Sequence, residues 1–109
     1  MTIFQHKNLA NSRWQKFSLI EQMANVGSEV ERALNWREKD EKYSRMAFER
    51  ALELLDLTLS DSKNKNRIME ITRVRELLCD YFLSGNNYLA TEKNWRDYFY
   101  SFGYAAALQ

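Results

Sequence analysis

Hydrophobic residues recur at intervals of three and four positions along four successive segments of this chain. In the first segment, about residues 12–39, the recurring apolar and small side chains are Trp14, Phe17, Ile20, Ala24, Gly27, Val30 and Leu34. That spacing places them on one face of a helix with about 3.6 residues per turn. Asn11 or Ser12 is positioned to cap the start of this helix, because each side chain can accept hydrogen bonds from free backbone N–H groups.

Three further segments repeat the helical pattern and are separated by short polar stretches. The segments cover about residues 42–59, 67–83 and 91–108, and the polar breaks are residues 38–41, 60–66 and 84–87. Gly85 follows the third segment where a left-handed C-terminal cap is favoured, and Thr91 is a suitable N-cap for the fourth. Short connections favour antiparallel neighbours, so the sequence predicts an all-α fold, an up-down antiparallel four-helix bundle.

The length of 109 residues predicts a single bundle domain over residues 11–109, preceded by a short flexible N-terminal arm over residues 1–10. The chain contains no proline, which agrees with uninterrupted helices. Gly27 inside the first helix costs roughly 1 kcal/mol relative to alanine. This cost predicts that a neighbouring backbone packs closely against the helix at Gly27.

Composition narrows the classes of function. Lysine and arginine total 16 against 15 aspartates and glutamates, so the chain has no global attraction to nucleic acid or to an acidic membrane surface. We find neither the apolar run of a signal peptide nor the ~20 apolar residues of a membrane span. The single cysteine, Cys79, cannot form an internal disulfide. We therefore expect a cytoplasmic protein that does not contact a membrane.

Catalytic chemistry has few candidates in this sequence. The one histidine, His6, lies in the predicted arm, and one histidine with one cysteine is too few for a zinc or di-iron site. A nucleophilic role for Cys79 would need a base nearby, and no histidine is available. We therefore predict no catalytic residue, no metal site and no cofactor, and we favour a protein that is not an enzyme.

Paired carboxylates provide the alternative of a magnesium-dependent enzyme. Glu49, Glu53 and Asp56 share one face of the second helix, and Glu38 and Glu41 form a second pair near the first break. Carboxylate oxygens are the ligands that Mg²⁺ prefers. The spacing resembles the Glu-x-x-Glu and Glu-x-x-Asp pairs of MazG-type nucleotide pyrophosphohydrolases. That resemblance implies a magnesium site at Glu49, Glu53 and Asp56.

Basic residues near the third helix provide a nucleic-acid alternative. The candidate contacts are Lys63, Arg67, Arg73 and Arg75. Acidic residues interleave with them at Glu70, Glu76 and Asp80. Nucleic-acid domains usually carry a basic excess over the whole domain, so these cations favour contact with nucleic acid only if they share one exposed surface.

Aromatic residues are more abundant than the core of one small bundle needs. The chain has three tryptophans, six tyrosines and six phenylalanines. Tyrosines are enriched at interfaces because they combine a large apolar ring with a polar hydroxyl. The predicted partner-binding residues on the last helix are Trp95, Tyr98, Tyr100 and Tyr104. The pattern favours a non-catalytic interaction module that forms a homo-oligomer, most simply a two-fold dimer, and binds a partner protein.

Three stretches resemble a set of small, uncharacterised prokaryotic all-helical proteins. They are FSLIEQMANVGSEVERALNWREK, AFERALELLDLTL and ITRVRELLCDYF. The long first helix, the charged turn and AFERALELLDL also resemble the opening hairpin of HEPN-type bundles, which are often RNA-cleaving toxins or partners of small nucleotidyltransferases. The ribonuclease motif of that family, Arg followed after four to six residues by His, is missing, because no histidine follows Arg96. The resemblance therefore implies a non-nucleolytic RNA-associated or toxin–antitoxin component.

Overall fold

The computed structural model describes residues 12–109, and this part of the chain is all-helical. Its α-helices are α1 (Leu19–Trp36), α2 (Glu41–Leu59), α3 (Ile68–Leu83) and α4 (Glu92–Ala107), and a 3₁₀ helix (Ser62–Arg67) leads directly into α3. The all-α prediction and the bounds predicted for the last three helices are confirmed. The predicted arm, residues 1–10, lies outside the described residues.

Helix α1 begins at Leu19, so the prediction of one continuous helix from about residue 12 is wrong. Residues 12–14 form a separate short helical stretch, and the chain turns before α1 begins. The hydroxyl of Ser18 accepts a hydrogen bond from the Glu21 N–H at 3.1 Å, and the Glu21 carboxylate accepts one from the Ser18 N–H at 2.9 Å. This reciprocal capping box satisfies two free N–H groups, so it starts the helix at this point. Phe17 consequently lies outside α1 and is 40% exposed, although its spacing had placed it in the core.

Helix α1 packs along both α2 and α4, and its buried stripe forms the centre of the core. The buried residues of α1 include Met23, Val26, Val30, Ala33 and Leu34. Aromatic contacts join the other helices: the rings of Phe48 and Phe82 lie 4.8 Å apart between α2 and α3, and those of Tyr81 and Trp95 lie 6.2 Å apart between α3 and α4. Burial of these rings fixes α3 and α4 around the α1–α2 pair.

Helices α1 and α4 are in tight contact at Gly27. A Cβ atom added to Gly27 would lie 2.8 Å from the Cβ of Phe99 on α4. Real side chains do not tolerate that distance, and Phe99 Cβ is fixed to the helix backbone. The close approach predicted at Gly27 is therefore confirmed, and the missing side chain determines how near α4 lies to α1.

A buried polar cluster joins the start of α1 to the end of α2 and to the 3₁₀ helix. The cluster consists of Trp14, Gln22, Thr58, Asp61 and Asn64, all of them buried. The Trp14 indole N–H donates to the Thr58 hydroxyl at 3.0 Å. The Gln22 amide donates to the Trp14 carbonyl and to the Asp61 carboxylate, each at 2.9 Å. The Asn64 amide donates to the Gln22 side-chain oxygen at 2.8 Å and to the Thr58 carbonyl at 3.0 Å.

Asp61 is the charged member of the polar cluster. Burial by itself raises the pKa of its carboxyl group, but hydrogen bonds from the side chains of Lys63 and Gln22 and from the Lys63 N–H lower it. The attraction of the Lys63 ammonium group adds to that lowering, so the pKa lies below its usual range. The ionised form of Asp61 is thus the form that the fold stabilises.

A second buried carboxylate, Asp80, holds the connection between α3 and α4. It accepts hydrogen bonds from the N–H groups of Asn87 and Tyr88, each at 3.0 Å. Burial raises the pKa of Asp80, whereas these N–H donors lower it below its usual range.

Gly85 has a φ of 82°, which confirms the left-handed cap predicted after α3.

Substituting Gly27 tests the α1–α4 contact. We expect Gly27→Ala to lower the free energy of unfolding by about 1–3 kcal/mol, because the new methyl group forces α4 away from α1. The steric cost of the methyl group should exceed the roughly 1 kcal/mol that alanine gains over glycine in helix propensity. Gly103→Ala is the matched control: a Cβ at Gly103 meets nothing within 4 Å, so this variant should be slightly more stable than the wild type. Urea unfolding measures both, and equal stability of the two variants would contradict the contact.

Substituting Asp61 tests the polar cluster and its pH dependence. We expect Asp61→Asn to lower the free energy of unfolding at pH 7 by about 1–3 kcal/mol, because buried donors lose a charged acceptor. Since folding lowers the pKa of Asp61, its contribution is complete above the unfolded value of about 3.9 and is lost as the pH falls through the folded value. The variant should therefore lose less stability than the wild type on acidification below about pH 4.

Glu49→Gln is the control for the Asp61 experiment, because Glu49 is an exposed carboxylate on α2. We expect it to change stability by less than about 0.5 kcal/mol. If Asp61→Asn and the wild type lost stability in parallel below pH 4, Asp61 would not be held in its ionised form by the cluster.

Candidate functional site

The structure separates the four aromatic residues that were predicted to bind a partner. Trp95 is only 5% exposed, and its ring stacks on Phe99 at 6.2 Å in the core. Trp95, one of the predicted partner-binding residues, therefore lies in the core instead of on the surface, because Trp95 and Phe99 lie one helical turn apart on the face of α4 that meets α1. The indole N–H of Trp95 is buried and has no acceptor among residues 12–109.

Tyr98 links α4 to the first turn of α3. Its hydroxyl donates to a carboxylate oxygen of Glu70 at 3.1 Å, and its ring packs edge-on against Phe99 and Phe102. Burial raises the pKa of Tyr98 well above its usual value, and the negative charge of Glu70 and the hydrogen bond to it raise it further. Tyr98 is thus partly buried and engaged within the fold.

Tyr100 and Tyr104 remain on the surface. Their side chains are 71% and 58% exposed, and their rings stack with centroids 6.2 Å apart. Leu108, one further turn along, is 71% exposed. We call these three residues the α4 stripe, because positions four residues apart lie on one helix face.

The second half of α4 carries no charged side chain. From Tyr98 to the end of the printed sequence no aspartate, glutamate, lysine or arginine occurs, whereas the first half contains Glu92, Lys93, Arg96 and Asp97. Exposed helix faces of globular proteins usually carry charged and polar residues. Large exposed apolar patches are characteristic of the contact surfaces of proteins in general.

A groove of about 470 Å³ lies beside the α4 stripe, between α1 and α4. Gly27, Gly103 and Tyr100 are among the residues that line it. Its lining is mostly apolar, with Glu31 and Arg96 among its few polar residues. The α4 stripe and this groove form one continuous surface through Tyr100.

Arg96 marks the boundary between the charged and uncharged halves of α4. Its guanidinium donates to Glu31 at 3.0 Å, to Glu92 at 2.9 Å and to the side-chain oxygen of Asn35 at 3.0 Å. Hydrogen bonds to Glu31 and Glu92 raise the pKa of Arg96 further above its usual value, against the opposing effect of burial. This network connects α4 to α1, and its hydrogen bonds within the chain occupy the Arg96 guanidinium.

Two of the three carboxylates of the magnesium alternative, Glu53 and Asp56, are paired with arginines. Glu53 lies 3.5 Å from Arg50 on the same helix, and Asp56 accepts a hydrogen bond from Arg75 at 2.8 Å. Glu49 is exposed. Within residues 12–109 no group of three or more His, Cys, Asp or Glu side chains is arranged to hold a metal ion. The structure does not bring Glu49, Glu53 and Asp56 together as a site.

The cations of the nucleic-acid alternative are also largely neutralised by neighbours. Lys63 pairs with Asp61 and Arg67 with Glu70. Arg75 pairs with Asp56, and this hydrogen bond raises the pKa of Arg75 despite the opposing effect of burial. Arg73 is exposed, with its guanidinium 5.6 Å from the centre of the Tyr88 ring. These four cations do not form one uncompensated basic surface.

Comparisons with protein-family models, with curated proteins and with solved structures find no match to this chain. No helix within residues 12–109 is both long enough and apolar enough to cross a membrane.

Alkaline titration tests the engagement of Tyr98. We expect the tyrosinate absorbance that Tyr98→Phe removes to appear, in the wild type, only well above pH 10, because burial and Glu70 both oppose ionisation. The difference between the two titration curves isolates this side chain. Tyr100→Phe serves as the matched single-hydroxyl control. A Tyr98 midpoint at or below pH 10 would contradict its burial against Glu70.

Proposed function

We propose that this protein is a non-catalytic helical interaction module that self-associates as a two-fold dimer through the α4 stripe and binds a partner protein. The observation that carries the proposal is the exposed, uncharged second half of α4, with Tyr100, Tyr104 and Leu108 on one face. Aromatic side chains at such positions provide large contact areas with little conformational entropy to lose.

Charge favours a second copy of this chain as the occupant of the stripe. A two-fold axis places the same surface of each copy against the other, so any charge within it meets its own counterpart. The α4 stripe has no charged member, so its pairing creates no like-charge contact. Homodimer interfaces are also more apolar than ordinary protein surface, as this stripe and the neighbouring groove are.

The non-catalytic part of the proposal is supported by the state of the candidate catalytic groups. Glu53 and Asp56 are paired with arginines, and the sole histidine of the chain is His6. General acid–base chemistry needs a positioned titratable group within reach of a substrate. Arginine-paired carboxylates on an exposed helix face are poorly suited to that task.

The proposal also includes an antiparallel order of the four α-helices and a cytoplasmic location. The connection between α1 and α2 is short, and α1 packs along both α2 and α4. Both features support an up-down antiparallel arrangement of the four α-helices. A single cysteine, which cannot form an internal disulfide, agrees with a cytoplasmic location.

Size-exclusion chromatography with light scattering tests self-association. We expect the wild-type protein to be dimeric at micromolar concentrations. Tyr100→Glu and Tyr104→Glu should each shift it to a monomer, because each places a charge in the centre of the stripe and opposite its own copy.

Tyr88→Glu is the matched control for this experiment. Tyr88 is an equally exposed tyrosine, but it lies in the connection before α4, so the dimer should persist in this variant. A wild-type protein that remains monomeric over the micromolar range would overturn the proposal. Equal effects of all three substitutions would show that the stripe is not the interface.

A further inference from the structure

A second surface follows α2 on its exposed side. Two depressions of about 310 and 280 Å³ adjoin along this helix, and Arg50 lines both. The first also contains Tyr43 and Met46, and the second reaches Leu57 and Phe17. We call this surface the α2 groove. The positions from 43 to 57 span about 21 Å at the helical rise of about 1.5 Å per residue, which matches the length of a helix of about 14 residues.

Large apolar side chains in the α2 groove remain exposed. Tyr43 is 45%, Met46 58% and Phe17 40% exposed. Trp36 stacks on Tyr43 with ring centroids 5.0 Å apart. Methionine adapts its shape to an incoming apolar side chain, so the walls of this groove suit the apolar face of a helix.

Positive charge exceeds negative charge by one among the residues that line the groove. The charged lining residues are Arg13, Arg32, Arg50, Glu29 and Glu53. Arg32 lies 3.0 Å from Glu29, and Arg50 lies 3.5 Å from Glu53, which is a long and exposed ion pair.

One end of the groove carries a cation without a carboxylate partner among the described residues. Arg13 has no ion pair within residues 12–109, and residues 1–11 contain no aspartate or glutamate. The groove thus presents one uncompensated positive charge at the end of its apolar path.

We propose that the α2 groove binds an amphipathic helix of a partner protein whose apolar stripe is flanked by acidic residues. Apolar side chains at spacings of three and four would contact Phe17, Met46 and Tyr43. Carboxylates beside them would reach Arg13, Arg32 and Arg50, which supplies orientation and specificity.

The α4 stripe of a second copy is a poor occupant of this groove, because the stripe carries no carboxylate to meet its cations. A nucleic-acid strand is also disfavoured, because its evenly spaced phosphates would face Glu29 and Glu53, whereas a helix can place carboxylates beside the arginines alone. The groove is thus a surface distinct from the proposed dimer contact.

A pair of synthetic helical peptides tests this assignment. Each has about 15 residues with leucines at spacings of three and four, and the flanking positions are glutamates in one peptide and lysines in the other. We expect fluorescence anisotropy to show that the labelled glutamate peptide binds with a dissociation constant in the micromolar range. The lysine peptide should bind at least about tenfold more weakly.

Charge-reversal variants locate the binding. Arg50→Glu should weaken binding of the glutamate peptide by about tenfold or more, and Arg32→Glu, at a more peripheral exposed arginine, should weaken it in the same direction. Arg73→Glu changes an exposed arginine outside the groove and should leave binding unchanged. Circular dichroism confirms that each variant remains helical, and the Arg32 variant keeps the test decisive if the Arg50 variant does not fold.

Three results would overturn the assignment: no binding of the glutamate peptide at millimolar concentration, equal binding of the two peptides, or loss of binding in Arg73→Glu to the same extent as in Arg50→Glu. Displacement of the peptide by a single-stranded oligothymidylate of similar length, with tighter binding of the oligonucleotide, would instead identify a nucleic-acid surface. Tyr100→Glu should bind the glutamate peptide like the wild type, which separates this proposal from the proposed dimer.

Discussion

The side-chain amide of Gln22 lies where three parts of the chain meet, and the arrangement of the helices depends on it. Its nitrogen donates to the Trp14 carbonyl and to Asp61, while its oxygen accepts from Asn64. A buried amide left without these partners would cost roughly 1–3 kcal/mol for each lost hydrogen bond. The start of α1, the end of α2 and the 3₁₀ helix are therefore held at one junction. Trp14 is hydrogen-bonded in this junction and also lines the α2 groove, so the junction helps to set the shape of the groove.

Helix α4 depends on a constraint of a different kind. Its contact with α1 depends on the missing side chain at Gly27. Because Gly27 has no Cβ, Phe99 of α4 packs directly against α1 at this position. The charged first half of α4 adds the Arg96 network to α1. Trp95 and Phe99 fill the inner face of α4, Tyr98 and Phe102 are partly buried beside them, and Tyr100 and Tyr104 are left facing solvent. The exposure of Tyr100 and Tyr104 is thus a consequence of how tightly the opposite face packs.

Much of the fold could be predicted from the sequence, because apolar periodicity and helix caps are local signals. The bounds of α2, α3 and α4 followed from them to within a residue or so. The start of α1 was missed although its signal was also local: Ser18 and Glu21 form a capping box three residues apart. The burial of Trp95 was readable too, since the spacing that puts Phe99 in the core puts Trp95 beside it. Abundance of aromatic residues alone does not distinguish core positions from surface positions.

The remaining features required the three-dimensional structure, because they join residues that are distant in sequence. Trp14 meets Thr58 across 44 positions, and Gln22 meets Asn64 across 42. No periodic pattern marks such a pair, since each member taken alone resembles an ordinary polar residue at a helix end. The same holds for the α2 groove, where Phe17 lines one depression and Met46 lines the adjoining one. Phe17 lies there because α1 starts at Leu19 and leaves Phe17 outside the helix. The capping box at Ser18 is therefore the local cause of an exposed aromatic side chain, and it connects the folding of the first helix to the second proposed binding surface.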